Sequence, residues 1–318
     1  MNYLSEVGRM NRWCEAVVIL VLALSAIASA FGAQNKLGTR SGDKTAEVKT
    51  PDPVLVGAGD ISSCDDLAGA EATAKLIEQI AGTVVAVGDL AYPDGSDEQF
   101  AKCYDPTWGR FKNRTRPVPG NHEYHNDGAS GYARYFGAAA GDPKKGYYGY
   151  DLGAWHIVAL NSECEHVGGC GASSPEGKWL RQDLAQHSTK CTLAYFHKPL
   201  FSSGAAHGND SEMRPLWLTL YAANADVVIN GHDHDYERFA PQDPDGKADQ
   251  KRGIREFVVG TGGKNSHRTF GTLRANSEAH QADTFGVLKL TLHASSYDWE
   301  FVPEAGKNFH DSGTGSCH

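Results

Sequence analysis

Two histidines, His232 and His234, follow directly on the run Val227-Val228-Ile229-Asn230-Gly231. The β-branched run reads as a buried strand ending at Asn230. In extended backbone a spacing of two puts both rings on one side, because side chains alternate across a strand. Two imidazoles converging past the carboxyl end of a strand suit a metal ion. Alone, the pair fits a surface turn with two satisfied histidines equally well. What decides between them is whether other strands deliver donors to the same edge. Four further segments place such residues at predicted strand ends: Asp60; Asp89 with Tyr92; Asn121 with His122; and His197. Aspartate, asparagine, tyrosine and histidine together suit iron, zinc or manganese. Three or more imidazoles argue against magnesium and calcium. The donors outnumber the needs of one ion, so two ions sharing a carboxylate fit better.

The elements that must position these residues recur in a simple pattern. Val54 to Gly59 is an apolar run ending at Asp60, and Thr83 to Gly88 a second one ending at Asp89. Between them a helix is predicted over Asp66 to Ala81, where Leu67, Ala70, Ala74, Ile77 and Ile80 mark one face. This β-α-β unit sets a carboxylate at the carboxyl end of both strands, the edge where open α/β sheets bind ligands. Ala91 to Arg116 is irregular, broken by Pro93, Gly95, Pro106 and Gly109. Tyr147 to Leu152 and Trp155 to Leu160 alternate as strands around Gly153, and Thr192 to Phe196 is a buried strand leading to His197. Pro175 to His187 and Arg214 to Ala223 are predicted helices, and Ile254 to Val259, Gly286 to His293 and Tyr297 to Val302 predicted strands. The expected architecture is one α/β domain over 54–318, two sheets packed together and covered by helices.

Composition narrows the function. A formal net charge of −9 argues against a nucleic-acid partner that depends on phosphate neutralisation. An acidic protein that handles phosphate must supply positive charge locally, and metal ions do so. Arg9 and Arg12 precede an apolar run from Ala16 to an Ala28-Ser29-Ala30 site, so residues 1–30 read as a secretory signal peptide. The run is short for a membrane span, which ranks an uncleaved anchor second. The polar stretch 31–53 reads as a flexible leader. Cys14 departs with the signal, leaving Cys64, Cys103, Cys164, Cys170, Cys191 and Cys317. An even number in an exported chain predicts disulfides, with Cys164–Cys170 the first local candidate across the Gly168-Gly169 turn. A thiolate zinc site is the lesser alternative, since no C-x-x-C occurs. The expected compartment is secreted, periplasmic or extracellular, without membrane association once the signal is cleaved.

The blocks Gly59-Asp60, Gly88-Asp89-Leu90-Ala91-Tyr92, Gly120-Asn121-His122-Glu123, His197 after a strand, and Gly231-His232-Asp233-His234 resemble the five-block signature of the calcineurin-like metallophosphoesterases. More narrowly they resemble the purple acid phosphatase branch. Many relatives carry a histidine two residues after the first aspartate, where this chain has Ser62, and the branch instead has a tyrosine three residues after the second, here Tyr92. The resemblance runs from about Val54 to the C-terminus. It implies a four-layer sandwich of two mixed β-sheets flanked by helices, with metals at the carboxyl edges of both sheets. Carried over by motif, Asp60, Tyr92 and His234 would hold a ferric ion. Asn121, His197 and His232 would hold divalent iron, zinc or manganese, and Asp89 would bridge. The phenolate–ferric pair gives the branch its colour.

The resemblance further implies a secreted acid phosphatase acting on small phosphomonoesters, with His122 contacting the phosphate or protonating the leaving alcohol. His207, in a glycine-containing loop ten residues beyond His197, is a second candidate catalytic group, beside the alternative of a mobile surface histidine. Glu123 is expected to orient an imidazole. The rival readings are a phosphodiesterase or nucleotidase with the same metal centre, and a secreted binding protein that keeps the fold without catalysis. Departures are Ala194 where valine is frequent, Lys198 after His197, and the missing glycine after Asp60-Ile61-Ser62. Gly260-Thr261-Gly262-Gly263-Lys264 resembles a phosphate loop, but Asn265 stands where Ser or Thr is required, so a turn is the better reading. His156, His166, His187 and His293 are expected to be structural or exposed.

Overall fold

The computed structural model describes residues 51–265 and 269–318. The signal peptide expected over 1–30 and nearly all of the expected leader lie outside the described residues. The chain forms β1 (Val54–Ala58), β2 (Ser62–Ser63), α1 (Ala68–Gln79), β3 (Thr83–Val87), β4 (Ala91–Tyr92), α2 (Asp97–Gln99), β5 (Thr115–Val118) and α3 (Ser130–Phe136). It continues through β6 (Tyr148–Leu152), β7 (Trp155–Ala159), α4 (Pro175–Gln186), β8 (Cys191–Tyr195), α5 (Arg214–Ala222) and β9 (Val227–Asn230). The closing third is β10 (Tyr236–Phe239), β11 (Arg255–Val259), β12 (Ser277–Gln281), β13 (Gly286–Leu292), β14 (Ser296–Pro303) and β15 (Ser312–Ser316).

Two mixed sheets result. One has the order β15-β14-β13-β1-β3-β5, the other β12-β10-β11-β9-β8-β7-β6. Strands β1, β3 and β5 run parallel, as do β7, β8, β9 and β11, so their carboxyl ends share an edge. Period-two alternation assigns the faces. Trp155, Ile157, Leu193, Tyr195, Val227 and Ile229 enter the core shared with Leu55, Val84 and Leu290 of the other sheet. Val158, Ala194 and Val228 point the other way, onto Leu180 and Leu184 of α4 and Leu216 and Leu220 of α5. Ala74 and Ile77 of α1 join the first core, so helices cover both outer faces. Helix α4 starts where Ser174 Oγ accepts from Gly177 N at 3.0 Å, with Pro175 at the first helical position. The expected helices and the central strands form to within a residue or two. Strands β10, β12 and β15 were not legible in the sequence; Ser-Glu-Ala-His-Gln and Ser-Gly-Thr-Gly-Ser become strands because neighbours pair with them.

All six cysteines of the domain are bridged, Cys64–Cys103, Cys164–Cys170 and Cys191–Cys317. The second is the expected local bridge, and the third ties the C-terminus to the start of β8.

His156 anchors α4 to the sheet. It is 1% exposed, and its Nδ1 lies 2.8 Å from Asp151 Oδ1 and its Nε2 2.7 Å from Asp183 Oδ2. A neutral imidazole has one N–H, so two carboxylates at hydrogen-bond distance define an imidazolium. The His187 ring stacks on it at 4.2 Å. Burial opposes the charge, but the hydrogen bonds to Asp183 and Asp151 outweigh it and raise the pKa above the ordinary histidine value. A raised pKa contributes stability that is full below the unfolded value, about 6.5, and is lost as pH rises through the folded one. His156→Ala is therefore expected to cost about 2–3 kcal/mol in urea unfolding at pH 5 and clearly less at pH 9. Equal costs at the two pH values would show that the charge contributes nothing.

Candidate metal centre

The strands that meet at the shared edge end in the same unusual way. Asp60, Asp89 and His232 all have left-handed backbone, with φ of 59°, 53° and 75°. For residues other than glycine this costs about 1–2 kcal/mol each, and such strain gathers at functional sites. The left-handed turn throws each side chain across the sheet edge instead of along its strand. This corrects the expectation for His232 and His234: the chain leaves β9 at Asn230, and a turn, not extended backbone, directs the two rings. The glycine before each donor keeps space for a donor from another loop. A Cβ on Gly120 would lie 2.3 Å from Asp89 Oδ1, and one on Gly88 2.5 Å from the His197 ring.

Backbone bonds knit the loops together. Asp60 N, Ile61 N and Ser62 N donate to the carbonyls of Gly88, Asp89 and Leu90, and β2 then pairs with β4, which carries Tyr92. The carboxylates each use one oxygen as a brace. Asp60 Oδ2 accepts from His232 N at 2.8 Å and Asp89 Oδ1 from His122 N at 2.9 Å. The opposite oxygens face the donor set.

Six of the seven expected donors converge. Around one point lie Asp60 Oδ1 and the Tyr92 hydroxyl, 2.8 Å apart, with His234 Nε2 3.2 Å from both. Around a second lie His197 Nε2 and His232 Nδ1, 3.3 Å apart. Asp89 Oδ2 belongs to both, at 3.2 Å from the Tyr92 hydroxyl and 3.1 Å from His197 Nε2. The ligand atoms of Asp89, His197 and His232 all lie within 4.8 Å of one another. His197 Nδ1 sits 2.9 Å from the Val87 carbonyl and so carries the proton. In the neutral ring its Nε2 is then a lone pair facing the Asp89 carboxylate and the His232 nitrogen. Lone pairs gathered on one point call for a cation. Asn121 Oδ1, next in sequence to the close contact of Gly120 with Asp89, is buried without a hydrogen-bond partner. Nitrogen and oxygen donors of these types fit a pair of transition-metal ions.

The electrostatics tell the same story. Burial disfavours a charged His197, but Asp89 and Asp60 overcome it and raise its pKa to about 10. Burial and the Asp60 and Asp89 carboxylates push the Tyr92 phenol well above its ordinary value. Burial and the positive neighbour His197 depress His232 to about 2. Protons are being asked to supply the positive charge that metal ions bring, because these groups cannot all be satisfied by each other.

His122 and His207 stand over the donor set. His122 Nδ1 donates to the Pro93 carbonyl at 2.6 Å, leaving Nε2 3.8 Å from Asp89 Oδ2. The exposed His207 ring stacks on His232 at 4.0 Å. Three buried acids missed in this role by sequence reasoning hold the surroundings. Glu123, expected to orient an imidazole, instead accepts backbone N–H bonds from Asp89 at 2.9 Å, Leu90 at 2.8 Å, Ala91 at 3.4 Å and Gly120 at 2.8 Å. Asp233 accepts from Ser202 Oγ, His207 N and Gly208 N, shaping the loop that carries His207. Glu237 takes both the N–H and the hydroxyl of Ser203. The only sequence signal was the placement of Glu123 and Asp233 inside the donor blocks.

The remaining expectations resolve simply. Ser62 turns away and bonds Thr107 Oγ1 at 3.0 Å, Ala194 packs in the outer core, and Lys198 pairs with Glu163 at 2.9 Å. The glycine-rich 260–263 stretch is not a phosphate loop; it packs behind the first donor, with Gly262 N donating to Gly59 O. The nearby-looking trio Asp151, His156 and His187 also brings metal-capable atoms together. Its two rings lie parallel to within 7°, so their in-plane lone pairs cannot meet on one ion.

Comparison with known proteins agrees with this geometry. The family model described as Calcineurin-like phosphoesterase matches residues 53–236. Purple acid phosphatase 21 of Arabidopsis thaliana is 30% identical over 203 residues, 55% of this chain and 44% of its own. Purple acid phosphatase 15 of the same plant is 29% identical over 199 residues, covering 51% and 37%. The matched region thus spans less than half the length of these curated relatives. Among solved structures, purple acid phosphatase PPD1 from yellow lupin (Lupinus luteus) superposes with a TM-score of 0.68 at 18% identity, over 84% of this chain and 54% of that one. GAP50, the anchor in the inner membrane complex of Plasmodium, gives 0.61 at 14% identity over 85% and 90%. With its family match covering more than half of the sequence and its donor blocks gathered at one edge of the two-sheet fold, the chain belongs to the calcineurin-like phosphoesterase family.

Proposed function

We propose that this protein is an exported acid phosphatase of the purple acid phosphatase branch, which hydrolyses small phosphomonoesters with a dinuclear metal centre. The observation that carries the reading is the single oxygen Asp89 Oδ2, which lies 3.2 Å from the Tyr92 hydroxyl and 3.1 Å from His197 Nε2 and so joins the two donor groups. Asp60, Tyr92 and His234 would hold a ferric ion, and Asn121, His197 and His232 a divalent iron, zinc or manganese ion, with Asp89 shared. When bound, such a pair neutralises phosphate charge and lowers the pKa of water. The rest is the work of the chain's own groups. His122 is fixed through Nδ1–H on the Pro93 carbonyl, so Nε2 is free to hand a proton to the leaving alcohol oxygen. That role needs a proton on Nε2 as well as on Nδ1. His207, held by Asp233 through its loop, is the second candidate to contact the phosphate. Three disulfides support an oxidising, extracytoplasmic compartment. The intact donor set weighs against a non-catalytic binding protein.

The test is nitrophenol release by the purified, metal-analysed protein from a nitrophenyl monoester and the matching diester. Monoester turnover should dominate, and His122→Ala should lower kcat about 10²–10⁴-fold with metal content unchanged. Equal rates on the two substrates would sink the monoester preference, and full turnover by the variant would remove His122 from the chemistry.

A further inference from the structure

The sequence between Asp105 and Glu123 holds no carboxylate, yet Arg110, Lys112, Arg114 and Arg116 alternate within it, in a chain of net charge −9. Such a run is ordinarily a solvated face. The fold makes something else of it. Residues Trp108–Arg114 form a 3-10 helix that leads into edge strand β5, and Arg110, Lys112 and Arg116 all open on one pocket of about 570 Å³, shared with Asn113 and Phe136.

Other exposed cations, such as Lys75 and Lys178, also lack an ion pair, but these three share one pocket, and three features bear on what it can hold. First, its cations have no acidic partner. Lys102, Arg134, Lys145, Lys198, Arg214, Arg238, Arg255 and Lys289 each pair with a carboxylate, whereas among the described residues Arg110, Lys112 and Arg116 pair with none. Asp105, the acid nearest in sequence, accepts instead from the Tyr135 hydroxyl at 2.6 Å. Secondly, the cations are held by neutral neighbours. Lys112 Nζ lies 4.0 Å from the Tyr135 ring centroid and the Arg116 guanidinium 5.7 Å from that of Tyr150, while Arg110 Nε donates to Thr107 O at 3.0 Å. Arg114 contrasts with them, its guanidinium being occupied by the carbonyls of Ile77, Ile80 and Gly82. Thirdly, the backbone beneath is fixed. The Arg116 carbonyl accepts from Tyr195 and the Pro117 carbonyl from Tyr132 and Tyr148, so hydroxyls cap this sheet edge. Like charges that line one pocket repel one another, and although the Asp105 carboxylate lies beside Gly109 at its edge, an anion placed among the three cations turns that repulsion into attraction.

We propose that this pocket binds a small oligoanion carrying two or more phosphate groups, at a site separate from the metal centre. The pocket lies at the start of β5, whereas Asn121 and the metal donors lie beyond the end of that strand. Its volume suits a small molecule. A long polyanion is disfavoured because the surrounding protein is acidic. Guanidinium forks supply the bidentate donors that phosphate oxygens accept.

Hydrogen-exchange mass spectrometry on the full chain tests the site, with methylenediphosphonate as the probe because its P–C–P link resists phosphatases. Saturable protection is expected in peptides covering 108–118. In Arg110→Gln/Lys112→Gln/Arg116→Gln the midpoint of that protection should rise at least tenfold. Any protection in peptides covering 227–236, which reports the metal centre, should be the same in both proteins. Arg110→Gln/Lys112→Gln, which leaves β5 untouched, should show the same direction if the triple variant folds poorly. No protection of 108–118 in the parent, or an unchanged midpoint in both variants, overturns the proposal. Protection by a single-stranded oligonucleotide but not by the diphosphonate overturns it as well.

Discussion

Asp89→Asn is expected to lose bound metal at both positions and to lower phosphate release about 10³-fold or more, the equivalent of several kcal/mol of charge stabilisation. The size follows from geometry. One oxygen, Asp89 Oδ2, stands 3.2 Å from the Tyr92 hydroxyl and 3.1 Å from His197 Nε2, so it is the only atom common to both donor groups. The carboxylate is 2% exposed; burial opposes its charge, yet His197 and His122 hold its pKa below the ordinary carboxylate range. Asparagine keeps the volume and can keep Oδ1 as acceptor for His122 N, but it brings no charge and presents N–H groups to the metals. Because His197 and His122 stabilise this charge in the fold, removing it should also cost the metal-free protein stability near neutral pH. Elemental analysis, turnover and thermal unfolding of the same preparation separate these effects. A variant that keeps two equivalents of metal and a tenth of its activity would show that the two donor groups act without a shared ligand.

Glu123→Ala should cost about 3–5 kcal/mol of stability and impair metal uptake as well, although Glu123 is not among the expected donors. Both oxygens are in use: Oε1 accepts from Leu90 and Ala91, and Oε2 from Asp89 and Gly120. Deletion would strand four buried N–H groups, each expensive to leave unpaired. It would also free the loop after β3 from the loop after β5, which carry Asp89 and Asn121. Burial and the neighbouring Asp89 push the Glu123 pKa up to about 8, while the N–H donors from Gly120 and Leu90 draw it down. Glutamine should rescue little, because its amide nitrogen would meet N–H groups on one side. Urea unfolding with metal titration measures both consequences, and a loss below 1 kcal/mol would mean that water readily replaces the carboxylate.

The contrast between these two residues shows what kind of information a sequence holds. Asp89 could be read as a donor because it stands at the end of an apolar run after a glycine. Glu123 was recognised as part of the same block, but its four partners are spread over Asp89 to Gly120 and include no imidazole. Asp233 is similar: it lies between His232 and His234 in sequence, yet it holds Ser202 and the His207 loop. Lys198, which directly follows His197, is taken up by Glu163. The histidine pair was expected to converge through extended backbone, whereas His232 is left-handed.

The sequence by itself determined the strands that bury both faces, the covering helices, the local Cys164–Cys170 bridge and the glycine-flanked blocks that carry the candidate donors. All of these are written in local periodicity, or in a glycine and a donor side by side. Only the tertiary structure decided that Asp89 Oδ2 joins the two donor groups, that Glu123 and Asp233 brace loops instead of imidazoles, and that Arg110, Lys112 and Arg116 share a pocket. It also made strands of β10, β12 and β15, whose own residues carry no strand pattern. The physical reason is the same in each case: these features arise from atoms brought together by chain crossing between sheets and loops, and no local pattern records which distant partner a side chain will meet.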